Sequence, residues 1–111
     1  MSVTPKTIVP AQLATTATTY YTAPANVRSI IRKVTFTNPT AGAVTVTVYL
    51  VPSGGAAGAT NVLVSAMSVG AGETFECFEA QGQVLQAGGL LQALCSAASS
   101  LTILGAVAEV V

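Results

Sequence analysis

The chain has 111 residues, of which 51% are hydrophobic and only 7% are charged, and its formal net charge is zero. This length allows one domain with a modest core, and the lack of a basic excess argues against nucleic-acid binding. A folded monomer of this mass would expose about 5,700 Å², too much for eight charged side chains. Small polar residues and neighbouring protein must therefore cover the surface, and assembly into an oligomer is the stronger inference.

Residues 1–17 are predicted to form an extended arm outside the folded domain. Pro5 and Pro10 would break a helix, and residues 14–19 show no apolar periodicity. The arm could be a frayed terminus or could lie on a neighbouring subunit. The apolar side chains that would make this contact are Ile8, Val9 and Leu13.

Neither end of the chain predicts a membrane or secretory segment. The N-terminal MSVTPKTIVPAQ has two prolines and no apolar stretch typical of a signal peptide. The longest apolar run, LTILGAVAEVV, is shorter than the roughly 18 to 20 residues that cross a bilayer. We therefore expect a protein that is made in the cytoplasm and has no membrane partner.

The segment 18–37 is interpreted as two strands separated by Pro24. Adjacent Tyr20 and Tyr21 would face opposite sides of the first strand. In the second, apolar residues at positions 27, 30, 31 and 34 also fit an amphipathic helix. A strand is favoured because Val, Ile, Thr and Phe dominate the run. That interpretation places Arg32 on the same face as Ile30 and Val34, with Ile31 opposite.

The clearest pattern in the chain is the strict alternation from Val44 to Val51. Valines at positions 44, 46 and 48 fall on one side and threonines on the other, which is typical of a half-buried strand. The turn residues 38–42, NPTAG, precede it. Together with the preceding strand, this segment predicts a β-hairpin with one apolar face.

The remainder of the chain continues as short strands between glycine-rich turns. Residues 61–68, 73–79, 83–86, 90–97 and 101–110 have strand patterns, and Gly105 suggests a bulge or a close backbone approach. About eight short antiparallel strands with regularly spaced turns predict an all-β sandwich of jelly-roll or immunoglobulin-like type over residues 18–111.

Residues that carry chemistry are largely missing from the chain. It has no His and no Asp, so the usual nucleophile-base arrangements cannot be built, and we do not expect an enzyme. Glu73 and Glu79 would lie roughly 20 Å apart along one strand, too far to share a metal. Cys77 and Cys95 lack the spacing of zinc sites, and are expected to be free core residues. No cofactor or metal is expected.

The only basic cluster is Arg28, Arg32 and Lys33. It could contact phosphate or an acidic partner, protect a strand edge from wrong pairing, or form ion pairs within or between subunits. We include these three residues and Tyr21 with the apolar arm residues as candidate partner contacts.

Several segments carry a resemblance to a known family. YTAPANVR at residues 21–28, VTVTVYLVPSGG at residues 44–55 and VLQAGGLLQA at residues 84–93 resemble small all-β virion proteins of tailed bacteriophages. The likeness spans roughly residues 18–110, and its motifs are structural rather than catalytic. Gly89 stands where that family usually has an acidic residue, so the sequence departs from the family pattern at this turn.

The resemblance implies a β-sandwich subunit that works in the virion by binding other virion proteins. The expected role is a capsid decoration (cement) protein, a homo-oligomer and specifically a trimer, seated on the major capsid protein. A tail, baseplate or fibre-adaptor subunit is the alternative within this class. A carbohydrate- or ligand-binding module is the competing class, but the chain has no Trp and only three Tyr for an aromatic platform.

Overall fold

A computed structural model describes residues 2–111. In this range the chain forms nine β-strands and no helix. The strands are β1 (Val3–Gln12), β2 (Thr18–Thr22), β3 (Arg28–Thr37), β4 (Val44–Val51), β5 (Val62–Val69), β6 (Thr74–Glu76), β7 (Val84–Leu85), β8 (Leu90–Cys95) and β9 (Thr102–Val110).

The strands form two antiparallel sheets, which confirms the predicted all-β sandwich. The first sheet has the order β1-β9-β3-β6, and β7 also pairs with β3; the second has the order β2-β8-β4-β5. The molecule measures 45 × 26 × 19 Å and exposes 5549 Å², close to the expectation for a compact monomer of this mass.

The core lies between the two sheets and follows the alternation of the strands. Val44, Val46 and Val48 on β4 are at most 5% exposed, as their spacing predicts. In the first sheet, Phe36 on β3 stacks against Phe75 on β6 with ring centroids 6.4 Å apart. Burying these apolar side chains supplies most of the free energy that holds the sheets together.

The N-terminal segment is extended, as predicted, but it lies within the sandwich rather than outside it. Strand β1 pairs with β9 from Val3 to Gln12 and forms one edge of the first sheet. Ile8 on this strand and Leu13 just after it are fully buried in the core. The prolines that argued against a helix are compatible with an edge strand, where an N–H can be absent without breaking the ladder.

Strand β3 contains a bulge that the sequence interpretation missed. Ile31 pairs with Val107 and Lys33 pairs with the next residue of β9, Ala106, so Arg32 is the extra residue of β3. As a result, Arg32 and Lys33 are both exposed while Ile31 and Val34 both face the core. The predicted core face was therefore correct after the bulge, where Val34 and Phe36 are buried, and wrong before it, where Ile31 rather than Ile30 faces the core. The bulge also explains the helix-like spacing of the apolar residues, because an extra residue in a strand shifts its two-residue period by one.

The predicted hairpin of β3 and β4 does not form, since these strands belong to different sheets. The buried side chain of Asn38 directs the chain across the sandwich. Its Nδ2 donates hydrogen bonds to the carbonyls of Gly42 (2.7 Å) and Val69 (2.9 Å), and its Oδ1 accepts one from the backbone N–H of Thr40. These contacts hold the turn against the end of β5, the strand that pairs with β4.

Two further predictions are confirmed. Gly105 on β9 is a point of close approach: a Cβ there would lie 2.9 Å from Ile8 Cδ1 and 3.2 Å from Val34 Cα, and would collide with the carbonyl of Lys33. Cys77 and Cys95 are free and buried, and burial raises the pKa of the Cys77 thiol.

Candidate interaction surfaces

The outer face of the first sheet carries a continuous group of apolar side chains. The alternation around buried Ser29 and Ile31 turns Ile30 outward, and the register places Ile30 between Ala108 on β9 and Val84 on β7. The adjoining positions on β1 and β9 are also apolar. We call this group the apolar patch; it consists of Val3, Pro5, Ile30, Val84 and Val110, and Ala108 between Pro5 and Ile30 is buried (7% exposed).

A shallow depression of about 150 Å³ lies at one side of the apolar patch. Its walls are Ile30, Val84 and Val110, and Arg28 stands at its rim. Val84 is 48% exposed although it is a large apolar residue. The depression is therefore an apolar surface next to a positive charge, and its only polar side chain is that of Arg28.

The three predicted basic residues all lie on the exposed side of β3. Lys33 forms an ion pair with Glu76 of β6, with Nζ and Oε1 3.7 Å apart, so the predicted internal pairing applies to this residue. Arg28 and Arg32 are exposed and form no ion pair within residues 2–111. The interpretation that this cluster protects a strand edge is wrong, because β3 is not an edge strand: it pairs with β9 on one side and with β6 and β7 on the other.

The three predicted arm residues have different environments. Ile8 is 0% exposed and Leu13 is 1% exposed, so both contribute to the core and cannot contact a partner without unfolding. Val9 is 73% exposed and lies at the bulge of β1. Of the three, only Val9 is accessible.

Tyr21 joins the two sheets through its hydroxyl group. Its Oη donates a hydrogen bond to Glu109 Oε2 (2.6 Å) on β9 and accepts one from Ser29 Oγ (2.6 Å) on β3. Burial, followed by the hydrogen bond to the Glu109 carboxylate, raises the pKa of Tyr21 to about 12. The hydroxyl of Tyr21, which was predicted to contact a partner, thus forms hydrogen bonds within the chain.

Tyr20 and Tyr21 do not face opposite sides of β2. A bulge between Thr19 and Tyr21 adds one residue to β2 relative to β8, and both rings pack against the core. The hydroxyl of Tyr20 accepts a hydrogen bond from the backbone N–H of Ala14. These two tyrosines therefore offer no stacking platform to a ligand.

The longest free edge of the sandwich, β1, is protected against strand addition. Ser2 and Val111 exchange two backbone hydrogen bonds. The N–H and C=O groups of every second residue from Ser2 onward therefore face β9, and those of the residues in between face away from the sheet. Pro5 occupies an outward position, where an incoming strand would need an N–H. A partner is therefore expected to bind a face or a loop rather than this edge.

Phe78 is an exposed aromatic residue that the sequence analysis did not select. It is 67% exposed and follows β6, whereas Phe36 lies in the core and Phe75 is partly buried against it. A signal was present: the alternation of residues 73–79 puts Phe78 on the opposite side from Phe75 and Cys77. Without the strand bounds, the residue could not be distinguished from a core aromatic.

The glutamates of residues 73–79 do not form a site. Glu73 Oε1 accepts a hydrogen bond from the backbone N–H of Gly70 (2.8 Å), and Glu76 pairs with Lys33. Within the described residues, no three His, Cys, Asp or Glu side chains are close enough to hold a metal ion. The same part of the chain has no helix of the length and apolarity needed to cross a membrane.

Comparison with known proteins gives no relatives. The chain matches no protein-family model, no curated protein and no solved structure. A functional interpretation therefore depends on the sequence segments and on the surfaces described above.

Proposed function

We propose that this chain is a structural subunit of a tailed-phage virion, and specifically a capsid decoration protein that binds and stabilises the assembled head. The observation that carries the proposal is the apolar patch on the outer face of the first sheet. A sheet face that carries Val3, Ile30, Val84 and Val110 is better suited to contact with protein than with water. The sparse charge of the chain and the resemblance of residues 21–55 and 84–93 to phage virion proteins support the same role.

The mechanism would be stabilisation by mass action. A subunit that binds only the assembled, expanded shell lowers the free energy of that state relative to free capsid protein. A trimeric ring seated across junctions of the major capsid protein would contact several capsid subunits at once, which multiplies the effect of each weak contact. No step of this mechanism needs a catalytic group or a cofactor.

A carbohydrate- or ligand-binding module is less well supported. Tyr20 and Tyr21 pack against the core, so they cannot form the aromatic platform that such modules usually present. A tail, baseplate or fibre-adaptor subunit would use the same apolar patch, and only a binding experiment separates it from a head protein.

The experiment is co-sedimentation of the purified chain with empty expanded heads and, separately, with isolated tails of the phage that encodes it. We expect the chain to pellet with expanded heads, and a Val3→Asp variant, which alters the patch outside the depression lined by Ile30 and Val84 and is checked for folding by circular dichroism, to remain in the supernatant. Met67→Asp is the matched control, because Met67 is an exposed apolar residue on β5 of the second sheet, outside the patch. Pelleting with tails alone would indicate a tail protein rather than a head protein. Binding to neither particle would contradict a virion role.

A further inference from the structure

The chain carries both an exposed aromatic side chain and an apolar depression that could accept one. We propose that Phe78 and Glu79 of one copy dock on a second copy of this chain, with Phe78 in the depression lined by Ile30, Val84 and Val110 and Glu79 beside Arg28. This inference rests on the proposed assembly role and names the contact between subunits.

The loop that carries Phe78 is held in place by backbone hydrogen bonds. The Cys77 N–H bonds to the carbonyl of Val34 and the Gly82 N–H to that of Ile31, so both ends of the loop are attached to β3. Within the loop, the Gln81 N–H bonds to the carbonyl of Phe78 at 3.1 Å. An exposed aromatic on an ordered loop loses little conformational entropy on binding, as is typical of residues that dominate interface energies.

The depression fits an aromatic ring in size and in chemistry. The depression is open on one side and has a volume of about 150 Å³, which is similar to that of an enclosed apolar cavity that binds benzene. The walls are the aliphatic side chains of Ile30, Val84 and Val110. Arg28 at the rim could place its guanidinium over the ring, a favourable cation–π arrangement.

The charges beside the two surfaces are complementary. Glu79 directly follows Phe78 and is exposed, and Arg28 is exposed at the rim of the depression. Neither forms an ion pair within the part of the chain that the structure describes. When Phe78 enters the depression, the carboxylate of Glu79 would come near the Arg28 guanidinium of the other copy. This charge complementarity favours a second copy of the chain over a partner without an acidic side chain at that position.

A contact of this kind uses two different surfaces of the same chain. Such a contact is heterologous when copies follow each other around a ring, and a ring of three would satisfy every contact. Protection of the β1 edge by Pro5 is consistent with association through the loop and the sheet face rather than through an added strand.

The first test is sedimentation velocity of the purified chain over a dilution series, without phage particles. We expect a reversible oligomer whose dissociation constant rises roughly 30-fold or more in Phe78→Ala, as for truncation of a dominant interface residue. Met67→Ala is the matched control, because Met67 is also exposed and apolar but lies on β5 of the second sheet, outside the depression, and it should leave the constant unchanged. A wild-type monomer at every concentration, or an unchanged oligomer in Phe78→Ala, would overturn the proposal.

The second test exchanges the two charges. Arg28→Glu and Glu79→Arg should each weaken self-association at least about tenfold, because each places like charges together at the contact. The double variant Arg28→Glu/Glu79→Arg should recover most of the wild-type affinity, which a merely destabilised fold would not do. Additive losses in the double variant would rule out the pairing.

The same variants separate this contact from the proposed virion role. If Phe78→Ala is monomeric but still binds heads at high concentration, the contact is between copies and the decoration role stands. If Phe78→Ala stays oligomeric and loses head binding, the loop binds a capsid protein, and the contact between copies is disproved while the decoration role survives. If the wild type assembles as expected but binds no head or tail, the assembly contact stands and the virion role fails.

Discussion

The Oη atom of Tyr21 on β2 lies 2.6 Å from Oε2 of Glu109 on β9, a hydrogen bond between residues 88 positions apart in the chain. The buried hydroxyl of Ser29 on β3 donates a hydrogen bond to the Oη of Tyr21. One phenol thus links a strand of the second sheet to two strands of the first. Because a hydrogen bond to a carboxylate is stronger than one between neutral groups, this contact fixes the relative position of the sheets at one end of the sandwich.

Tyr21→Phe should lower the free energy of unfolding by about 1 to 3 kcal/mol at neutral pH, because it removes a charge-assisted hydrogen bond. The pKa of Tyr21 is raised to about 12 in the folded state from the ordinary value of 10.0. Its contribution is therefore complete below pH 10 and is lost as the pH rises toward about 12.

Urea unfolding of the wild type and of Tyr21→Phe at several alkaline pH values measures this contribution. The difference in stability between the two proteins should shrink between pH 10 and 12. Tyr49→Phe, on β4 of the second sheet, is the control for removal of a phenol hydroxyl from a tyrosine that does not link the two sheets. A pH-independent difference for Tyr21→Phe would contradict the assigned hydrogen bond.

Gly105→Ala should destabilise the protein by about 1 to 3 kcal/mol or more, the usual cost of overpacking a buried site. The added methyl group would collide with the backbone of Lys33 and crowd Ile8. Gly58→Ala is the matched control, since nothing lies within 4 Å of its Cβ position, and its effect should stay within about 0.5 kcal/mol. Equal thermal midpoints for the two variants would show that β9 can move away from β3.

Val46→Asp should prevent folding, because it places an unpaired charge at a position that is 0% exposed. Glu76→Ala should be nearly neutral, since its ion pair with Lys33 joins side chains that are 37% and 57% exposed and such surface pairs contribute at most about 1 kcal/mol. Circular dichroism and size-exclusion chromatography distinguish the outcomes. A soluble, cooperatively folded Val46→Asp protein would mean that β4 is turned the other way.

Asn38→Asp should lower the free energy of unfolding by about 3 kcal/mol or more. The exchange replaces an Nδ2 group that donates to the carbonyls of Gly42 and Val69 with a carboxylate oxygen, in a side chain that is fully buried. Asn61→Asp is the control, because that amide makes similar local bonds at a more accessible position. Chemical denaturation should show the larger loss at Asn38; similar losses would contradict its role in the crossing between sheets.

Local patterns predicted the strands well where the backbone is regular. The alternation of β4 identified its buried valines, and the glycine at position 105 correctly indicated a close approach of β9 to its neighbours. The patterns failed where a bulge adds a residue: in β2 both tyrosines turn inward, and in β3 Arg32 leaves the apolar face. A bulge is set by the register with a neighbouring strand, so the sequence of one strand cannot reveal it.

Only part of the candidate surfaces could be predicted from the sequence. Arg28, Arg32 and Lys33 were identified from their clustering and do lie on an exposed face. The depression was not foreseen, because Ile30, Val84 and Val110 come from three strands that are distant in sequence. Likewise, Ile8 and Leu13 looked like contact residues until the pairing of β1 with β9 placed them in the core.

By itself, the sequence determined the all-β class, the approximate strands and the absence of His and Asp, since these follow from composition and from a two-residue period that any strand must obey. Only the tertiary structure decided that β3 and β4 lie in different sheets, that the N-terminal segment is an edge strand, and which apolar side chains remain exposed. These features depend on contacts between residues far apart in the chain, and the same local pattern is compatible with several such pairings.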